Sequence, residues 1–144
     1  MKRKILWSTL ILIILIVGVG YTYEVFFKRS PEKILLNQFG ISLKKYNYSV
    51  VSMQEQWDYN GDGYCLILFD LAQFDTQEFN SLINDNFKKL PINDKIEVSE
   101  IPESYLKSQD GYYIFQVEEE DSRNFRIFII NTKLKKGILY YQIM

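Results

Sequence analysis

Residues 48–70, YSVVSMQEQWDYNGDGYCLILFD, decide the fold. From Tyr48 to Trp57 the chain alternates. Val51, Met53 and Trp57 fall on one side, and Ser52, Gln54 and Gln56 on the other, the period of a half-buried strand. Tyr64 to Phe69 is apolar on both sides, as a central strand is. Between them Asn60-Gly61 and Asp62-Gly63 supply residues that tolerate positive φ, the strongest short-range hairpin signal. A β-hairpin is therefore expected here.

The segments on either side fit a sheet covered by a helix. Ser30-Pro31-Glu32 reads as a helix start, with a hydroxyl N-cap, proline at the first helical position and an acid in the first turn. That helix is expected over residues 31–39, burying Ile34, Leu35 and Phe39 and ending at Gly40. Asp75 and Glu78 have capping-box spacing. Phe79, Leu82, Ile83, Phe87 and Leu90 recur at helical spacing, which predicts a main helix over 75–90 stopped by Pro91. Ile96 and Val98 suggest a short edge strand, and 102–107 a helical turn. Three closing strands are expected over 112–118, 125–131 and 138–144, a meander with short connections. Eleven tyrosines and ten phenylalanines suit a pleated sheet.

At the other end, residues 5–23, ILWSTLILIILIVGVGYTY, hold no charge. As a helix they span roughly 29 Å, about the thickness of a bilayer's hydrocarbon core. Lys2-Arg3-Lys4 precede them, which favours a cytoplasmic N-terminus. Trp7, Tyr21 and Tyr23 fit the interfacial belts. The competing reading is a cleaved signal peptide, with Gly18 and Gly20 as the small residues. A third reading is a buried core helix in a soluble protein; on either of the first two the remainder is expected outside the cytoplasm. The expected organisation is a basic lead and membrane anchor over 1–27 and a single domain over 28–144. The expected fold class is α+β: an N-terminal transmembrane helix, then a two-layer domain with an antiparallel sheet packed on one main helix.

Composition excludes several functions. All 18 acids lie from Glu24 onward and three of the 17 bases lie before the apolar run, so the domain carries a net −4, 14 bases against 18 acids. Nucleic acid requires a basic face, so it is not an expected partner. There is no histidine, which removes Ser-His-Asp and Cys-His catalysis and the commonest zinc ligand. The single cysteine, Cys65, allows no intramolecular disulfide and sits in an apolar run, so a buried inert thiol is expected. No phosphate loop, CxxC motif or nucleophile elbow occurs. No cofactor is expected, and the reading is non-enzymatic.

Four sets of residues are candidates for chemistry. Asp58, Asn60, Asp62 and Gly63 match positions 1, 3, 5 and 6 of a calcium loop. Position 12, which should be glutamate, is Phe69, and the flanks read as strands, so a hairpin turn is the preferred reading. Glu55, Asp58, Asp62 and Asp70 are carboxylates near that hairpin. They would catalyse only if two converged in environments that split their pKa values. The run Glu118 to Asp121 reads as a solvated loop. Tyr112, Phe125 and Tyr140 would share a face if the sheet had one uncovered side, making a platform for glycan or a protein strand.

The basic lead, the apolar span, the Ser30-Pro31-Glu32-Lys33 start, the Trp57-to-Gly61-Asp62-Gly63 hairpin and the closing GYY, FRIFIIN and YYQ strands resemble a loose group. Its members are short, uncharacterised membrane-anchored or lipoprotein-like proteins of low-GC Gram-positive bacteria. The resemblance implies a compartment and carries no function. The expectation is a single-pass, membrane-anchored extracytoplasmic module that binds an envelope protein or glycan. The alternatives are a carboxylate-dependent cell-envelope hydrolase and an immunity or accessory protein of a secretion system.

Overall fold

The computed structural model describes residues 11–20, 30–96 and 98–144. The chain from residue 30 onward is a mixed α+β fold around one antiparallel sheet of six strands. Helix α1 (Pro31–Phe39) is followed by strands β1 (Ser49–Trp57) and β2 (Gly63–Asp70). Helix α2 (Thr76–Leu82), strand β3 (Lys88–Lys89) and the one-turn helix α3 (Glu103–Leu106) come next. Strands β4 (Gly111–Val117), β5 (Phe125–Asn131) and β6 (Lys136–Ile143) close it. The sheet order is β1-β2-β6-β5-β4-β3. The last strand thus lies in the middle, between the hairpin and the meander.

Local chemistry sets both ends of α1 and the start of α2 as expected. The Ser30 hydroxyl accepts from the Lys33 amide at 3.4 Å, and Gly40 closes α1. Asp75 and Glu78 form a complete capping box, with bonds of 2.7 and 3.0 Å. The main helix is shorter than predicted and stops at Leu82. The polar triplet after it explains why. Asn84 Oδ1 accepts from the Asn86 amide at 3.0 Å, and the Asn84 carbonyl accepts from the Phe87 amide at 3.0 Å. Such side-chain bonds offer the backbone a turn in place of a further helical rung. Phe87 still packs on the α2 side of the sheet, while Leu90 crosses to the other side. The edge strand expected at residues 96 and 98 is absent there, and the sheet ends instead on β3.

Both faces of the sheet are covered, which corrects the expected two layers to three. On the first face Cys65, Ile67, Phe69, Phe128, Ile130 and Leu139 meet α1, Leu43, Tyr46 and α2. On the second, Leu66, Ile127, Ile129, Ile138 and Tyr140 meet an irregular segment through Leu90, Val98, Ile101 and Tyr105. Tyr113 fastens that segment, its hydroxyl donating to Asp94 Oδ2 at 2.8 Å, while Lys88 Nζ lies 3.0 Å from the same carboxylate. Burying aromatic rings on both sides of one sheet removes large apolar areas from water, the main force holding such a fold together.

Strand β1 departs from the half-buried strand expected of it. Among the described residues it is the edge strand of the sheet, and Val50, Val51 and Met53 are all exposed. A bulge between Val50 and Ser52 interrupts its pairing with β2; from Ser52 to Trp57 the register runs regularly. Past the bulge, Met53, Glu55 and Trp57 share the first face, while Ser52, Gln54 and Gln56 share the second.

The expected span over residues 5–23 lies partly outside the described residues, which lack 1–10 and 21–29. Residues 11–20 are helical. Their apolar side chains are exposed, from 53% at Ile13 to 67% at Val19. Among the described residues no helix is long and apolar enough to cross a membrane.

Candidate functional site

The turn that joins β1 to β2 is built by Asp58. Its Oδ1 accepts from the amides of Asn60 at 2.9 Å and Asp62 at 3.1 Å. Its amide donates to the Asp62 carbonyl at 2.8 Å. The carboxylate therefore organises the turn, as aspartate does where it mimics a backbone turn. Phe69, at the position where a calcium loop requires its bidentate glutamate, is fully buried in the core. Among the described residues no group of three or more histidine, cysteine, aspartate or glutamate side chains is placed to hold a metal ion. Asp58, Asn60 and Asp62 form the hairpin turn that was the preferred reading.

Gly63 follows the turn and sits opposite Trp57. It has φ +156°, and a Cβ there would lie 2.0 Å from the Gln56 carbonyl oxygen. Only glycine lets β1 approach so closely. Strands lie about 4.8 Å apart, so β1 and β6 are separated by the width of β2. Above Gly63 and the small Cys65, Trp57 leans across β2 and meets Tyr141, with ring centroids 5.8 Å apart. The result is an open groove of about 430 Å³ at the hairpin end of the sheet, lined by Glu55, Trp57, Asp58, Tyr59, Gly61, Tyr141 and Ile143. Tyr59 projects fully into solvent beside it. Among the described residues no lysine or arginine lines this groove.

The four candidate carboxylates divide. Glu55 and Asp58 line the groove together. Asp62 belongs to the turn. Asp70 is at the other end of β2, opposite Ser49, where its Oδ1 accepts from the Ala72 amide at 2.8 Å. The acidic run over 118–121 serves its own loop. Asn124 Nδ2 donates to Glu118 Oε2 at 3.0 Å, and the side-chain bond from Arg123 holds the Asp121 carboxyl down at about 2.

The aromatic platform expected from Tyr112, Phe125 and Tyr140 does not form. Tyr140 is 1% exposed. Its ring stacks on Tyr64 and lies against Phe125, each at 5.7 Å, and its hydroxyl donates to Gln142 Oε1 at 2.8 Å. Burial, reinforced by Glu100 and Tyr64, pushes that hydroxyl's pKa well up. Phe125 is half-buried on the same side. Tyr112 neighbours the inward-facing Tyr113 and so points to the opposite face. There it lines a cleft of about 570 Å³ with Phe79, Ile83 and Lys135. Lys135 Nζ is held by the carbonyls of Ala72 at 3.2 Å and Phe74 at 3.0 Å. The three residues therefore occupy two sides of the sheet, and the side expected to be open is covered by Leu90, Val98, Ile101 and Tyr105. Cys65 is buried and forms no disulfide.

The aromatic pair that does reach solvent, Trp57 with Tyr141, depends on β6 lying next to β2. Its one local signal was Gly63 facing Trp57 across the hairpin. No family model, curated protein or solved structure matches this chain.

Proposed function

We propose that this chain is a membrane-anchored binding module that works outside the cytoplasm and takes up its partner along the outer edge of β1. The observation that carries the reading is that edge. From Ser52 to Trp57 it is regular, it has one charged residue, and it ends in the Trp57–Tyr141 groove. A strand with unpaired amides and carbonyls is a template for an added strand. Natural sheets usually blunt such edges with lysine, proline or a bulge. Here the bulge protects only the Val50 end. The aromatic-face alternative loses its support with Tyr140 buried.

Anchoring is supported by residues 11–20. A helix that is apolar all round and exposed to this degree is a membrane helix or a core helix. Net charge −4 on the remainder keeps the domain from lying flat on anionic lipid.

Two measurements test the reading. Protease added to spheroplasts is expected to digest the domain; full protection would reject the topology. A photo-crosslinking residue at Gln54 is expected to capture an envelope component in intact cells. Gln54→Pro and Glu55→Pro then act as a pair. Neighbouring amides on a strand point to opposite edges, so one proline removes an outward donor and the other breaks pairing with β2. The variant that keeps the fold should lose the adduct. An adduct that survives in that variant would refute binding by strand addition.

A further inference from the structure

We infer that the cleft between α2 and the turn joining β5 to β6 binds a neutral saccharide, at a site separate from the β1 edge. Strands β2, β6 and β5 lie between β1 and β4, which carries Tyr112. The inference therefore stands or falls independently of strand addition.

Local chemistry sets the two walls of the cleft. Thr76, Asn80 and Ile83 recur at i, i+4 and i+7, so they fall along one flank of α2 and its C-terminal end, and all three line the cleft. The capping box fixes where that helix starts. Across from them stand Tyr112 on β4 and Thr132 and Lys135 from the β5–β6 turn. Asn131, 3% exposed, holds that turn from inside. Its Oδ1 accepts from the Leu134 amide at 2.8 Å, and its Nδ2 donates to Ser108 Oγ at 2.8 Å. Lys135 has φ +51°, a left-handed backbone that glycine or asparagine adopts with less strain. Neither of those could make the contact that lysine makes. Its Nζ reaches the Ala72 and Phe74 carbonyls at 3.2 and 3.0 Å, which ties the turn to the chain just before α2. The walls are thus fixed before any ligand arrives, and preorganisation of this kind lowers the entropic cost of binding.

The groups left over select the ligand. The charged side chains already serve the backbone: Asp75 Oδ1 holds the Glu78 amide at 2.7 Å, and Lys135 holds its two carbonyls. The side chains of Thr76, Asn80, Tyr112 and Thr132 make no hydrogen bond among the described residues. They offer hydroxyls and a carboxamide, groups that both donate and accept and carry no charge. Sugar hydroxyls donate and accept in the same way. An anion entering the cleft would meet the Asp75 carboxylate, and a cation the Lys135 ammonium. Phe79, Ile83 and the Tyr112 ring add apolar surface for the C–H face of a sugar, and tyrosine pairs such a ring with a polar tip. At about 570 Å³ the cleft falls within the range of roughly 300–1,000 Å³ usual for small-molecule sites.

Saturation-transfer NMR on the full chain, in micelles of a detergent without a sugar headgroup, tests the inference. The probes are glucose, N-acetylglucosamine, cellobiose and diacetylchitobiose. Glucuronate, glucosamine and alanine serve as anionic, cationic and zwitterionic controls. At least one neutral sugar should receive saturation on its ring protons and bind more tightly than every control. Asn80→Ala, at an exposed helix position, removes a hydrogen-bonding amide and should weaken that sugar about 2- to 12-fold. Tyr112→Ala should weaken it as well, and Tyr112→Phe, which keeps the ring, should recover part of the loss. If Tyr112→Ala does not fold, as read by circular dichroism, Asn80→Ala and Tyr112→Phe carry the test. A sugar that binds unchanged to both Asn80→Ala and Tyr112→Phe sits elsewhere and would overturn the inference. Tighter binding of glucuronate, glucosamine or alanine than of any neutral sugar would overturn it too, as would the absence of saturation from all four sugars.

Discussion

Three glycines sit in the sheet, and the same methyl group added to each should have opposite effects. At Gly137 a Cβ would lie 3.5 Å from Leu71, Phe128 and Phe69, side chains in ordinary contact range. Alanine there narrows the unfolded ensemble, which is worth about 0.4–1 kcal/mol, and buries a methyl. The expected change is a stabilisation of about 0.5–1.5 kcal/mol. At Gly63 the Cβ would stand 2.0 Å from the Gln56 carbonyl oxygen, at φ +156°. An unfavourable φ costs about 1–3 kcal/mol. The clash can be relieved because β1 is an edge strand and can move away. At Gly111, φ +141°, the Cβ would stand 1.9 Å from the Ile130 carbonyl oxygen. That carbonyl belongs to β5, held between β4 and β6, so overpacking adds about 1–3 kcal/mol to the backbone term. The predicted ranking is Gly137→Ala above wild type, then Gly63→Ala, then Gly111→Ala. Urea unfolding of the full chain in micelles, followed by far-UV circular dichroism, measures it. With a slope of about 1–3 kcal/mol per molar urea, Gly111→Ala should lower the midpoint by about 1 M or more. A Gly137→Ala midpoint below that of Gly63→Ala would refute the reasoning from Cβ clearance.

Further outcomes follow from single contacts. Asp75→Ala removes the capping box and should cost about 1 kcal/mol, read as a lower urea midpoint; Asp75→Asn should restore most of it. Partial burial pushes Asp94 up, but the Tyr113 hydroxyl and Lys88 together outweigh it and hold its carboxyl below 3.8. Its contribution is therefore complete above pH 3.8 and is lost as pH falls through the lowered value. Asp94→Asn should flatten that part of the acid unfolding profile. Burial raises the Tyr140 pKa above 10.0, so the folded state holds that proton more tightly than the unfolded one. Stability should be full below pH 10.0 and decline as pH rises beyond it. Tyr140→Phe should remove part of that decline, measured by unfolding midpoints across the alkaline range.

What could be read from sequence was local. The Ser30 cap, the Asp75–Glu78 box and the Asp58–Gly63 turn are each made by residues within a few positions of one another, and each is found where expected. The longer helix failed on a competition within the same window. Phe87 and Leu90 keep helical spacing with Phe79, but Asn84 and Asn86 take the backbone into a turn first. The third layer was not legible because Ile92, Ile96, Val98 and Ile101 pack on the sheet from a segment whose described residues form neither strand nor helix. The site was missed for a different reason. Trp57 and Tyr141 are far apart in the chain and meet only because β6 inserts beside β2. The aromatic residues that local alternation singled out, Tyr112 and Tyr140, are separated by the sheet itself.

The central place of β6 also orders events in time. Gly63 pairs with Ile143 and Asp70 with Lys136, partners separated by most of the domain's length. Until residues 136–143 emerge, the hairpin and the β5-β4-β3 half have no strand between them, and neither half can bury both its faces. Closing so long a loop is paid for before any of its contacts forms. A domain delivered from its N-terminal end across a membrane would then remain open until β6 arrives. It would be compatible with an unfolded-chain translocation route, and would gain its two-sided core only when β6 joins. The groove, which needs Tyr141 beside Trp57, comes into being only with that step.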